Sequence, residues 1–247
     1  MNLRTIIVTL AGFLCAASLP AASIAQDPEN LPTHVTDYIL VEAPDDHVLG
    51  SENAALTLMI WASVTCPHCA NWFTKEWPVI KTDLVETGKL RIVFREFPTA
   101  PGQLAIAGFS LAACAPSEDY FSVIEYQMKE QANILEAARE GRAAEAYQEV
   151  ARLAGMTTNE AMTNCLRNPD ITAHVIDNAQ RAKLAEVNAV PGFLINGQRY
   201  KGPSDAKSLI KLINDMNEKG ISALPKGDSV SPKDLLPKDL ISIDPKK

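Results

Sequence analysis

The sequence predicts an α/β protein in which a long helical block separates two strand-bearing halves. Three observations carry this. Residues 55–62, Ala-Leu-Thr-Leu-Met-Ile-Trp-Ala, form a nearly continuous apolar run of strand length, and a helical pattern starts at Pro67. Residues 101–187 are rich in alanine, with apolar residues at helical spacing. Asn196-Gly197 then separates Gly192-Phe193-Leu194-Ile195 from Gln198-Arg199-Tyr200-Lys201, the strongest short hairpin signal. A chain of 247 residues can bury a real core, and 47% hydrophobic with 21% charged residues excludes collagen-like, disordered and purely coiled-coil chains. Twenty-three basic against 30 acidic residues give a net charge of −7 with no Lys/Arg-rich block, so no nucleic-acid partner is expected. Neither GxxxxGK[ST] nor GxGxxG occurs, which removes the usual nucleotide-binding signal.

Along the chain, residues 1–25 read as a secretory signal peptide. Arg4 precedes a mostly apolar run from Ile6 to Leu19, and Ser23-Ile24-Ala25 places small residues before a cut near Ala25. The alternative, a membrane anchor, needs about 20 apolar residues, and this run is shorter. The protein is therefore expected in the periplasm. Residues 26–37 form a lead-in with two prolines. Tyr38-Ile39-Leu40-Val41 is a short strand candidate, and residues 45–54 are polar with a turn at Gly50. The helix from Pro67 is expected to run to about Thr87, kinked at Pro78 and stopped by Gly88. Leu90 to Phe94 is the next strand, so 38–98 reads β-β-α-β. Four or five helices follow, with breaks near Pro116, residues 133–142, Gly155 and Asn168-Pro169, and with cap chemistry at Thr158 and Asp170. Ser204 is the expected cap of a last helix over 205–219, stopped by Gly220. Residues 221–247 are rich in Pro, Lys and Asp and repeat Pro-Lys-Asp-Leu at 232 and 237, which reads as a mobile tail.

Chemistry concentrates at Cys66-Pro67-His68-Cys69, where the apolar strand turns into a helix. Unpaired N–H groups and the helix dipole at such a position favour a thiolate, the reactive form of cysteine. Cys66 is the better placed for exposure, Cys69 lies one turn in, and a protonated His68 adds favourable charge. Half of a zinc site is the competing reading, but it needs two more ligands. His34, His47 and His174 form no cluster in the sequence, so no metal is expected. A purely structural disulfide is the other alternative. Besides Cys15 in the signal segment, four cysteines remain: Cys66, Cys69, Cys114 and Cys165. An even number in an exported chain points to disulfides.

Residues 55–98 resemble the DsbA-type branch of the thioredoxin superfamily, in an alphaproteobacterial-like form. The matching pieces are Trp61 to Ala70 around CPHC, Phe94-Arg95-Glu96-Phe97-Pro98, and Val190-Pro191-Gly192-Phe193-Leu194-Ile195-Asn196-Gly197. The resemblance implies a thioredoxin fold with an inserted all-helical subdomain. Residues 38–98 and 188–220 would be its two halves and 99–187 the insertion. It implies a dithiol–disulfide oxidoreductase with Cys66 and Cys69 as the redox pair and His68 as stabiliser of the Cys66 thiolate. Val190 and a cis Pro191 would hold substrate. Cys114 and Cys165 would form a second, structural bridge, the alternative being two buried free thiols. No cofactor beyond the redox-active disulfide is implied. Partners would be unfolded exported polypeptides with thiols and a membrane quinone-coupled reoxidase. The rival activities are a disulfide isomerase or reductase, and a non-enzymatic metal-handling or holdase protein. Two departures stand out. Ile60 occupies a position where the family often has a buried acid, which would send protons from Cys69 through water or another group. Gly192 follows the proline where Thr is common, which would make that loop more mobile.

Overall fold

The structure is a computed structural model that describes residues 37–224 and 229–230. The expected signal segment, all of the lead-in but Asp37, and most of the tail lie outside the described residues. In chain order the elements are α1 (Asp37–Leu40), β1 (His47–Leu49), β2 (Thr57–Ala62), α2 (Pro67–Lys75), α3 (Trp77–Ile80) and β3 (Arg91–Glu96). The helical block contains α4 (Gly102–Ala113), α5 (Tyr120–Lys129), α6 (Gln131–Arg139), α7 (Ala143–Leu153), α8 (Asn159–Leu166) and α9 (Pro169–Leu184). The chain closes with β4 (Gly192–Ile195), β5 (Gln198–Tyr200), α10 (Ala206–Lys219) and β6 (Ser229–Val230).

The strands form one sheet in the order β1-β3-β2-β4-β5-β6. β2 and β3 are parallel, joined over α2 and α3, and the other neighbours are antiparallel. This is a thioredoxin fold with a helical insertion. The unbroken apolar run of β2 is explained by cover on both faces. Leu58, Ile60 and Ala62 join the larger core with α2 and the helical block, while Met59 and Trp61 face Ile39, Leu40, Ala182 and Ala185 on the other side. Among the described residues no helix is long and apolar enough to cross a membrane.

Several elements differ from the sequence reading. Tyr38–Val41 is no strand: Asp37–Leu40 is a helical turn, and the first strand is His47–Leu49, paired with β3. The buried Arg95 explains this. Its guanidinium donates to the carbonyls of Ile39 (2.6 Å) and Val41 (2.9 Å) and pairs with Asp46 at 2.7 Å, so these carbonyls go to a side chain and not to a ladder. The helix from Pro67 is interrupted just before Pro78, at Glu76. α2 ends at Lys75, Pro78 lies in the first turn of α3 where its missing N–H costs nothing, and Lys81–Val85 continues as a π-helical turn. The block holds six α-helices where four or five were expected. α6 and α7 part at Glu140–Arg142, with Gly141 at φ +78. Asp205, not Ser204, caps α10, accepting from the Ser208 N–H at 3.0 Å, and Gly220 ends it with φ +60. Part of the segment read as a tail is docked. Leu224 is buried with its N–H on the Gln198 side chain at 2.7 Å, and β6 pairs with β5.

Candidate active site

The Cys66–Cys69 pair sits at the carboxyl end of β2, and geometry separates the two thiols. Cys66 is the N-cap of α2, with extended φ −89 and ψ 120, and Pro67 follows in the first turn. Cys66 is 8% exposed and Cys69 fully buried, so only Cys66 can meet another chain. Both are thiols in this structure. The Cys69 thiol hydrogen bonds to the Cys66 sulfur, and that bond does most to lower Cys66. Burial opposes it, while the backbone N–H groups of Cys69 and His68 and the charge of His68 assist, and the result is about 5. Cys69 moves the other way: its bond to Cys66, its burial and the adjacent thiolate all hold its proton on. His68 is exposed beside the pair, and its charge contributes less than the Cys69 thiol and the N–H groups.

Val190–Pro191 is a cis peptide, and Cys66 Sγ lies 3.6 Å from the Val190 carbonyl oxygen. The fold thus brings together Cys66, Cys69, His68, Val190 and Pro191, residues spread over more than 120 positions of chain. Val190 and Pro191 are half-buried, with an edge left to solvent. Gly192 is needed for close approach: a Cβ there would come within 2.5 Å of Val187 Cγ1. Ile60 is fully buried in the same core as Cys69. The polar contact to the Cys69 sulfur from the strand end is the Ser63 N–H at 3.4 Å.

Residues that sequence reasoning missed hold this loop in place. Gln131, buried on α6, donates its amide to the carbonyls of Val64 (2.8 Å) and Cys66 (3.1 Å). Ser63 and Thr65 bond to Thr99 after β3, at 2.9 Å between each pair of hydroxyls. A polar residue on an otherwise apolar helix face was the signal for Gln131. The break expected over 133–142 lies beyond Gln131, which in fact opens α6. In the insertion, Cys114 at the end of α4 and Cys165 in α8 are bridged, with Cα atoms 6.1 Å apart.

A second polar cluster corrects the expectation that the histidines do not group. His47 from β1 and His174 from α9 meet edge to face, with ring centroids 5.7 Å apart, on either side of Glu96 at the end of β3. Burial alone would raise Glu96, but its bond from His174, the two histidine charges and the Tyr120 hydroxyl bring it down to about 2. Burial lowers His47, and the bond to Glu96 raises His174.

Residues 42–215 match a family model described as thioredoxin. The "Putative protein-disulfide oxidoreductase" of Rickettsia prowazekii is 29% identical over 199 residues, covering 79% of this chain and 70% of the relative. A protein of the same description from Rickettsia conorii is 27% identical over 206 residues, covering 82% and 72%. Among solved structures, Wolbachia pipientis alpha-DsbA1 superposes with a TM-score of 0.65 at 23% identity, over 74% of this chain and 96% of that one. The protein-disulfide isomerase from Novosphingobium aromaticivorans does so with a TM-score of 0.58 at 23% identity, over 69% and 96%.

Proposed function

This chain belongs to the thioredoxin family, and on that premise we propose that it is a periplasmic DsbA-like thiol–disulfide oxidoreductase that oxidises newly exported proteins. The observation that carries the reading is the asymmetry of the pair: a Cys66 left 8% exposed with its pKa near 5 against a fully enclosed Cys69 that keeps its proton. A thiolate stabilised only in the reduced form favours that form, so the disulfide is readily given away.

In the oxidised enzyme, a substrate thiolate attacks Cys66 Sγ. The Cys66–Cys69 bond breaks, its electron pair goes to Cys69, and Cys69 takes up a proton. A mixed disulfide joins substrate to Cys66. The substrate's second thiolate then attacks the substrate sulfur of that bond, and Cys66 leaves as a stabilised thiolate. Two electrons have passed to the pair and the substrate dithiol is a disulfide. His68 and the α2 N–H groups stabilise the leaving thiolate. Val190 and Pro191 hold the extended substrate chain beside it by its backbone. A membrane quinone-coupled partner reoxidises the pair.

The test is a stoichiometric reaction of the oxidised protein with a dithiol peptide, together with titration of its potential against glutathione. Peptide oxidation, lost in Cys66→Ser, and a potential above that of glutathione are expected. A potential below it would replace the oxidase by a reductase, and activity on scrambled disulfides exceeding peptide oxidation would replace it by an isomerase. Copper(I) binding without peptide turnover would replace it by a metal-handling protein.

A further inference from the structure

The His47–Glu96–His174 cluster takes no part in thiol exchange as derived above, yet its geometry is specific. His47 Nε2 lies 3.4 Å from Glu96 Oε1 and His174 Nε2 lies 3.5 Å from Glu96 Oε2. One donor atom from each of the three residues lies within 4.8 Å of the others. These separations are at the long end for a hydrogen bond, whose usual N–H···O distance is about 2.9–3.0 Å. Each has the length of an edge of a tetrahedron about a metal at 2.0–2.2 Å from nitrogen and oxygen, about 3.3–3.6 Å; the two run to different oxygens of Glu96, so a carboxylate ligating through one oxygen must turn toward both imidazoles.

The surroundings orient the same atoms. Tyr120 donates its hydroxyl to Glu96 Oε1 at 2.7 Å, and Asn178 donates its amide to Glu96 Oε2 at 2.5 Å. His174 Nδ1 lies 3.2 Å from Asp45 Oδ2, so Nε2 is the atom that faces Glu96, where a proton or a metal ion can sit. Asn178 Nδ2 is also 3.0 Å from that Nε2, a contact the ion would replace. The His47 ring stacks on Tyr120, centroids 3.5 Å apart and planes within 11°. A carboxylate behind a ligating histidine and hydrogen bonds onto a ligating carboxylate are the outer partners that metal sites use. The His47 and His174 side chains are 24% and 18% exposed, which leaves an entry path to a fully buried carboxylate.

The geometry points to a site for a divalent transition ion of the zinc type, held by His47, Glu96 and His174, with Asp45, Tyr120 and Asn178 as orienting partners. Two imidazoles with one carboxylate suit zinc or cobalt rather than calcium or magnesium, which take oxygen sets. Bound there, the ion would clamp β1, β3 and α9 together. β3 runs on to Thr99, whose hydroxyl bonds to the loop before Cys66. The inference does not rest on the proposed activity.

The test uses the full chain carrying Cys15→Ser, with Cys66–Cys69 oxidised and Cys114–Cys165 bridged, so that no thiol can ligate. Zinc and cobalt(II) are added separately at neutral pH. Retention of one ion per chain is expected, with cobalt d–d bands free of sulfur charge transfer. Ring 15N resonances of His47 and His174 should move while that of His68 stays. His47→Ala and His174→Ala should each weaken retention by about 100-fold or more, and Asp45→Asn by about tenfold. The histidine resonances of the unaltered chain decide the matter if a variant fails to fold. No retention at millimolar zinc, signals moving only at His34 or His68, or undiminished retention in folded His47→Ala and His174→Ala would each overturn the site. An internal hydrogen-bonded cluster would then remain.

Discussion

Two cysteine pairs stand in this chain under opposite constraints. Cys66 and Cys69 are separated by Pro67 and His68 at a strand-to-helix turn, in a loop held by Gln131, Ser63 and Thr99, and they are thiols here. Cys114 and Cys165 are 51 positions apart, bridge two helices of the insertion, and lie away from any helix start. Closing a long loop restricts the unfolded chain and stabilises the bridged state. Closing the short one restricts it less and discards a thiolate that the helix start and the Cys69 thiol favour. The same bond is therefore structural in one place and reactive in the other, and what decides is which redox state the surroundings stabilise.

The largest effect that tests this contrast is on activity. Cys66→Ser should abolish peptide oxidation, while Cys114→Ser and Cys165→Ser should leave its rate within a fewfold. The latter two should instead lose stability, by up to about 4 kcal/mol in the chain-entropy model, read by denaturant unfolding. Equal losses of activity from both pairs would break the comparison. Next, Gln131→Ala removes the buried donor to the Val64 carbonyl and one of two donors to the Cys66 carbonyl, which keeps the Ala70 N–H, and should cost about 1–3 kcal/mol on the same unfolding curve. Stability unchanged by this substitution would show that the amide does not hold the loop.

A subtler effect appears when the redox state changes. The folded reduced protein lowers Cys66 to about 5, below the ordinary thiol of the unfolded chain. This stabilisation is complete above the unfolded value and is lost as pH falls through about 5. With screening by water at the accessible side, it is on the order of 1–2 kcal/mol at pH 7. With Cys114–Cys165 intact in both samples, the reduced form should melt higher than the oxidised form at pH 7, and the gap should close toward pH 5. An oxidised form that melts higher would make the short bridge structural as well. The smallest effect belongs to His68→Ala. Its charge assists the Cys66 thiolate less than the Cys69 thiol does, so the pH midpoint of Cys66 alkylation should rise modestly, and more in Cys69→Ala. A larger rise in His68→Ala than in Cys69→Ala would reverse that order.

Much of this was legible in the chain. The β2 run, Pro67, the Asn196-Gly197 turn, Gly220 and the Thr158 cap are local signals, and each element formed where its own residues dictate. Residues 38–41 failed as a strand because a short apolar run suits either structure, and the deciding contact, from Arg95, comes from more than 50 positions away.

By itself the sequence determined the class of fold, the reactive turn and the identity of the residues able to exchange disulfides, because periodicity, capping and turn chemistry act over a few residues. The tertiary structure alone decided that Cys69 is fully enclosed while Cys66 keeps 8% of its surface open, and that Gln131 reaches back to hold their loop. It also decided that His47, Glu96 and His174 converge from two strands and a helix. Burial, hydrogen-bond reach and charge proximity depend on distances in space, and the order of residues along the chain does not specify those distances until the sheet and helices have packed.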